Sequence, residues 1–559
     1  DTFMTVKRRT MTAAEVIVEA LKKEGIKHVF CVPGESYLPV LDALHDESSI
    51  QVISTRHEGG AAFMAEGYAK STLKPGVVLA TRGVGAANLS IGVHTAYQDS
   101  TTMIVLLGQV HSKFRGREGF QEIDLEQFFG PISKWAVEVR DPERMPEMMG
   151  RAIRVSQSGR PGPVVISLRE DVLPMEKEMT FRGRFIRPKP APSKDEVMNV
   201  ERMLKRTKRP MLIVGGGVKS SKAEAAIIAF AEKYHFPVLV AFRRHDAFPH
   251  HHPLFTGHLG LGKSEYIDQM IEEADTILAL GTRLSEVTTK DYTLLKDHHT
   301  LIHVDIHDET IGKVYSPDIG IVADLSQALQ AFSSIDIAPT WQEWVFQKRN
   351  AYQKASKLKL TETDIINKQV IATIQKILPN NALLTNDAGN FASWLHDFYQ
   401  FTKPHTYVGP TSGAMGYGLP AAIGAKLAFP DKKVVTLAGD GGFMMTAQEL
   451  ETAVRYHIPV IALVFNNNMY GTIRMHQEMH YPEKVIGTDL GTVSFEKLAE
   501  SVGAKGYTVR TIDEFDAAFT EVLAGDSVSV IEIITEKEQI SVTATIEEIR
   551  TKAKNKALF

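Results

Sequence analysis

The run from Val434 to Ile473 limits what this chain can fold into more than any other stretch. A short apolar run, Val434 to Ala438, meets Gly439-Asp440-Gly441-Gly442, and bare glycines directly after a buried strand mark a tight turn where backbone approaches a ligand closely. Gln448 to Tyr456 then set Leu450 and Val454 among Glu449, Glu451 and Arg455 at helical spacing, and a second apolar run, Ile458 to Phe465, ends in Asn466-Asn467-Asn468. The order is strand, turn, helix, strand, turn. Both strands of such a unit end at one edge of a parallel sheet, so Asp440 and Asn467 are expected to meet there. A carboxylate, an amide oxygen and a nearby main-chain carbonyl form a hard oxygen set that suits Mg²⁺ bound together with a phosphate group. Singly, Gly-Asp-Gly is a common turn and paired asparagines are ordinary loop residues. Their combination at neighbouring strand ends points to a cofactor.

The same alternation of short apolar runs and helices recurs along the chain. Thr12-Ala13-Ala14-Glu15 has the form of a capping box before an amphipathic helix that Gly25 ends. Strands are expected at Val29 to Val32, turning at Pro33-Gly34, and at Val52 to Ser54, running into Arg56-His57-Glu58. Ala61 to Lys70 reads as a helix of small residues able to pack closely on a neighbour, and Val77 to Ala80, Met103 to Leu107 and Val164 to Leu168 complete a first sheet. Arg187 to Ser193 is a proline-dense linker. The middle segment repeats the pattern, with Met211 to Val214 running into Gly215-Gly216-Gly217 and Thr276 to Leu280 into Gly281-Thr282-Arg283. A more helical, charged linker from Pro339 to Leu360 precedes a third unit that opens with Leu383-Leu384-Thr385 and Asn386-Asp387-Ala388-Gly389. The reading is α/β: three tandem, doubly wound parallel-sheet domains over residues 10–180, 194–340 and 362–540.

Composition excludes several alternatives. A net charge of −4, from 63 basic and 67 acidic residues, gives no electrostatic case for nucleic acid or an anionic membrane. Lys7-Arg8-Arg9 and the group Lys552, Lys554 and Lys556 read as solvated tails. The single cysteine, Cys31, forms no internal disulfide, no apolar stretch reads as a membrane span, and Asp1 to Thr10 lacks the apolar core of a signal peptide. A cytoplasmic protein is expected.

Gly439-Asp440-Gly441 followed at this distance by Asn466-Asn467 resembles the diphosphate-binding signature of thiamine diphosphate enzymes, and nearly the whole chain, from about Thr12 to about Ile540, resembles the acetolactate synthase family. Pro33-Gly34, His57-Glu58, Gly83 to Asn88, Phe120-Gln121-Glu122, Ser158 to Pro163 and Gly413 to Pro420 carry the likeness. The resemblance implies thiamine diphosphate held with Mg²⁺ by Asp440, Asn467 and the main chain of Met469. Gly389, Asn390, Gly413, Gly439, Gly441, Gly442, Tyr470 and Gly471 would line that end of the cofactor, and Pro33, Gly34 and Asn88 the other. Glu58 would share a proton with the aminopyrimidine ring and so favour the tautomer that activates the thiazolium carbon. Met415 would bend the cofactor from beneath, and Gln121 would face the reacting carbonyl. The implied substrate is a 2-keto acid, pyruvate, joined after loss of CO₂ to a second keto acid to give 2-acetolactate. Active sites between subunits imply a homodimer or homotetramer.

The chain also departs from that pattern. Leu168-Arg169-Glu170-Asp171 has an acid where biosynthetic members carry a lysine, and Thr472 to His476 lacks the tryptophan that shapes the acceptor pocket. A 2-keto acid decarboxylase or an aldehyde carboligase therefore stays open, as do an FAD-dependent oxidase of the pyruvate oxidase kind and a non-catalytic scaffold. Arg474 is a candidate partner for a substrate carboxylate, while His476 and His480 are expected to face solvent. FAD is left open by Gly215 to Gly217, Gly281, Arg283 and Asp305, which fall where FAD-binding members contact the dinucleotide although the run is not GxGxxG. His250-His251-His252 lacks zinc-site spacing and is expected at the surface.

Overall fold

The computed structural model describes residues 7–182, 184–262, 264–361 and 363–558. Asp1 to Val6, residue 362 at the expected start of the third domain and Phe559 of the expected tail lie outside them. Three six-stranded, wholly parallel sheets carry the fold, as the α/β reading anticipates. The first runs Gln51–Ser54, His28–Cys31, Gly76–Thr81, Met103–Gln109, Pro163–Arg169, Trp135–Val139 in spatial order. The third repeats this topology with Tyr407–Val408, Leu383–Asn386, Val434–Gly439, Ile461–Asn466, Ser529–Ile534 and Lys505–Val509. In both, chain order across the sheet is 2-1-3-4-6-5. The middle sheet differs: Phe255–His258, Val238–Val240, Pro210–Val214, Thr276–Leu280, Thr300–Asp305 and Ile319–Val322 give 3-2-1-4-5-6, the order of dinucleotide-binding folds.

Local chemistry starts and stops these elements. Thr12 caps helix Ala13–Lys23 with the full reciprocal box to Glu15, and Gly25 follows it at φ +72°. His57 caps helix Glu58–Thr72 by accepting from the Gly59 N–H, so this helix begins earlier than its small-residue pattern marks. Its buried face lies against helix Gly418–Ala428 of the third domain, and glycine makes the approach close enough: a Cβ on Gly67 would sit 2.6 Å from the Ala421 Cα, and one on Gly424 2.2 Å from the Met64 carbonyl oxygen. The outer two domains consequently share one apolar core that includes Phe63, Met64, Leu419, Ile423 and Phe443, whereas the middle domain has its own.

Four details differ from the sequence reading. Lys7–Thr12 is a strand paired antiparallel with Glu176–Phe181, not a solvated tail: Met11 and Met179 reach the core, while Arg8 and Arg9 remain exposed. The charged tail expected to be helical from Glu547 is the helix Ile546–Ala557, with Lys552, Lys554 and Lys556 exposed, and it differs only in being docked, by Arg550 on Glu478 of helix Gly471–His480 and by Lys554 on Glu483. Asp440–Thr446 is helical rather than a simple turn, since neither Gly441 nor Gly442 takes a positive φ and Gly439 serves as the N-cap. His250 is buried, stacked on Phe255 at 4.0 Å, while His251 is exposed. No helix among the described residues is long and apolar enough to cross a membrane.

Candidate active site

Strands Val434–Gly439 and Ile461–Asn466 lie side by side in register, with Gly439 opposite Phe465. Their C-terminal ends deliver Asp440 and Asn467 to one another: the Asn467 N–H donates to Asp440 Oδ1 at 3.4 Å, and Asn467 Oδ1 accepts from the Met469 N–H at 3.3 Å. Above them opens a cavity. Gly439, Asp440, Gly441 and Gly442 form one wall, and Asn467, Met469, Tyr470 and Gly471 another. Gly389, Asn390, Gly413 and Met415 close it from the neighbouring loops. Two glycines are demanded by packing: a Cβ on Gly441 would strike the Tyr470 ring at 2.7 Å, and one on Gly442 would meet Asp387 Oδ2 at 2.6 Å.

Asp440 is 5% exposed and has no cationic side chain against it among the described ion pairs. Burial pushes its carboxyl up to about 6, with the Asn467 N–H opposing the shift. A buried carboxylate without a cation, beside an amide oxygen, fits a small hard metal ion. No cluster of three or more His, Cys, Asp or Glu side chains suited to a metal occurs among the described residues, so such an ion would need oxygens from a bound phosphate to complete its shell.

Asp387 was quoted in the sequence only as part of a strand end, yet it shapes this site. Fully buried, it accepts from the N–H groups of Ala388 and Tyr417, both at 3.1 Å, and burial raises its carboxyl to about 7. Its signal was a run of polar residues leaving a buried strand. Thr472 is a second residue that sequence reasoning passed over: its hydroxyl accepts from the Asn390 N–H at 3.0 Å and ties the start of helix Gly471–His480 to the cavity wall.

The other sequence candidates lie in the first domain. Glu58 opens helix Glu58–Thr72, half-buried, and its Oε1 accepts from Asn88 Nδ2 at 3.3 Å. Gly34 abuts Thr81, where a Cβ would meet the Thr81 side chain at 2.6 Å, and Pro33 precedes it at the end of strand His28–Cys31. Gln121 takes a left-handed φ of +63° and its carbonyl accepts from the Gly83 N–H at 2.9 Å. Within one chain none of Pro33, Gly34, Glu58, Asn88 or Gln121 lines the Asp440 cavity, which draws only on residues from Asn367 onward. Around them the surface is apolar: Val84, Ile91 and Phe120 are 50%, 45% and 77% exposed.

Family models for the thiamine pyrophosphate enzymes match all three domains: the N-terminal TPP binding domain over residues 11–128, the central domain over 197–332 and the C-terminal TPP binding domain over 387–533. The probable acetolactate synthase large subunit of Methanocaldococcus jannaschii is 33% identical over 552 residues, covering 94% of this chain and 92% of its own length. Acetolactate synthase isozyme 1 large subunit of Escherichia coli is 33% identical over 548 residues, 96% of each chain. The chain belongs to the acetolactate synthase large-subunit family of thiamine pyrophosphate enzymes. With that family it shares the thiamine pyrophosphate-binding domains at both ends of the chain. Where the family's lysine is replaced, Glu170 is neutralised in place by Arg82 at 2.7 Å. Arg474 is engaged: Glu478 accepts from its Nε at 3.2 Å and is shared with Arg550. His476 and His480 are exposed.

Proposed function

We propose that this protein decarboxylates a 2-keto acid, pyruvate, with thiamine diphosphate and Mg²⁺, and joins the remaining acyl fragment to a second keto acid to give 2-acetolactate. The observation that carries this reading is the buried, cation-free Asp440 beside Asn467 in a glycine-walled cavity on a thiamine pyrophosphate-binding domain. The cofactor, when bound, supplies a carbon nucleophile and an acceptor for the electrons released with CO₂. Asp440, Asn467 and the Met469 carbonyl would hold the metal. Gly389, Gly439 and Gly471 let backbone approach the diphosphate, Met415 fills the space beneath the ring system, and Tyr470 packs over Gly441. Glu58, fixed at a helix start and oriented by Asn88, exchanges a proton with the aminopyrimidine. Gln121 stands ready to orient the substrate carbonyl, and Pro33 and Gly34 to line the pyrimidine end.

Because Glu58 stands outside the chain's own Asp440 cavity and amid exposed Val84, Ile91 and Phe120, the working unit is at least a homodimer, with Glu58 of one chain facing Asp440 of the other. Purified protein incubated with thiamine diphosphate, Mg²⁺ and pyruvate tests the activity. Formation of 2-acetolactate by mass spectrometry supports it; acetaldehyde alone moves the protein to the 2-keto acid decarboxylases, and untouched pyruvate removes the reading.

A second cavity opens at the strand ends of the middle domain. Its glycines are consumed by chain packing, since a Cβ on Gly217 would meet the Gly281 Cα at 2.6 Å, but its walls carry Arg160, Lys219, Arg244 and Arg283. Burial lowers Arg283 to about 10 and raises Asp305 to about 6. That cationic lining suits an anionic dinucleotide, and FAD is the occupant proposed. A colourless protein that releases no flavin on denaturation overturns it.

A further inference from the structure

Residues 409–417 leave strand Tyr407–Val408 and enter helix Gly418–Ala428, carrying Gly413 and Met415 to the Asp440 cavity on the way. The groups that hold this segment come largely from the other two domains. Lys70 Nζ donates to the Gly409 carbonyl at 2.9 Å, and Arg243 Nη1 to the Pro410 carbonyl at 2.7 Å. Asp99 receives the N–H groups of Thr411 and Ser412, each at 3.1 Å, and the Thr411 hydroxyl. At the far end the Tyr417 hydroxyl donates to Glu66.

Asp99 and Lys70 are 2% and 7% exposed and paired with each other. Two carboxylates share that one ammonium. Burial and the charge of Asp99 push Glu66 up, whereas for Asp99 the pull of Lys70 and Arg244 outweighs burial and holds it below the usual range. A carboxylate paired with an ammonium makes strong, directional hydrogen bonds to backbone N–H groups, and Asp99 takes two of them. The clamp is also remote from Glu58. Lys70 stands twelve residues further along the same helix, about 18 Å at the rise of an α-helix. Asp99 likewise closes the helix Arg82–Asp99 whose first turns carry Asn88.

We propose that Asp99 is a positioning residue for the thiamine site: by holding the Thr411 and Ser412 backbone it fixes the turn that presents Gly413 and Met415 to the cavity. The proposal rests on the thiamine reading of that cavity. It follows that each first domain shapes two sites of a dimer, its partner's through Glu58 and its own chain's through Asp99.

The test uses the full-length protein with Asp99→Asn, which keeps shape and removes charge, and Thr411→Val, which removes one hydroxyl. Amide hydrogen exchange without cofactor is expected to quicken over residues 409–417 in both variants and to stay unchanged in helix Ala13–Lys23, which touches none of the clamp. Calorimetric titration with thiamine diphosphate and Mg²⁺ should show about tenfold weaker binding for Asp99→Asn, and a smaller loss for Thr411→Val. At saturating cofactor kcat should fall while KM for pyruvate holds. Should Asp99→Asn fail to fold, Thr411→Val decides alone. Wild-type exchange over 409–417 together with wild-type cofactor affinity overturns the positioning role. Wild-type protein that binds no thiamine diphosphate overturns the thiamine reading, and the positioning role with it.

Discussion

At the scale of single residues, the proposed metal site turns on Asp440. A charged ligand to a bound cation contributes about 3 kcal/mol, so Asp440→Ala should weaken thiamine diphosphate binding in Mg²⁺ about a hundredfold, read by calorimetric titration; EDTA should do the same to the wild type. Affinity unchanged by both would remove the metal from the site. Asp440 and Asn467 were legible in sequence because each sits just beyond an apolar run, and adjacent parallel strands bring such positions together. Asp99 was not legible. It ends a long helix with no motif around it, and its partners Lys70, Thr411 and Ser412 are distant in sequence and meet only when the first and third domains share a core. The ion pair of Arg474 was not legible for a related reason, since its partner Glu478 is shared with Arg550 from the C-terminal helix.

Elements show where small residues and charge set the fold. The small-residue run over Ala61 to Lys70 announced a close helix contact but not its partner, because Gly418–Ala428 is apolar on every side and has no periodicity to match. Gly424→Ala drives a Cβ to 2.2 Å from the Met64 carbonyl, backbone against backbone. The cost should be about 3 kcal/mol, measured as a lower denaturant midpoint; an unchanged midpoint would mean that the two helices can slide apart freely. The C-terminal helix answers to pH instead. Glu478, held by Arg550 and the Glu483 N–H, is lowered to about 2, below its ordinary value of about 4.3. The sign follows from linkage: the docked form is favoured whenever Glu478 is ionised, so its contribution is fully present above about pH 4.5 and is lost as pH falls toward 2. Hydrogen exchange in Ile546–Ala557 should therefore rise on acidification, and Glu478→Gln should raise it already at neutral pH and flatten the acid response. A flat profile in the wild type would show that apolar contacts such as Ile546 hold the helix alone.

For the whole molecule the proposed site turns on whether Glu58 of one chain serves Asp440 of another. Alternating apolar runs made the three α/β domains readable in sequence, but the proposed interface between copies would leave no periodic trace, its one signal being exposed apolar side chains such as Val84, Ile91 and Met445. Glu58→Gln should lower turnover by about 10²- to 10⁴-fold through loss of the proton-exchanging carboxyl, and Asp440→Ala should abolish it through loss of the metal. Each pure variant is then inactive in every site. Mixed under conditions that exchange subunits, half of the dimers carry one chain of each kind, and in these one site combines both damaged halves while the other combines Glu58 of one chain with Asp440 of the other, both intact. Activity should recover to about a quarter of the wild-type value, as expected for random pairing across a two-fold interface. A site built within a single chain would recover nothing on mixing.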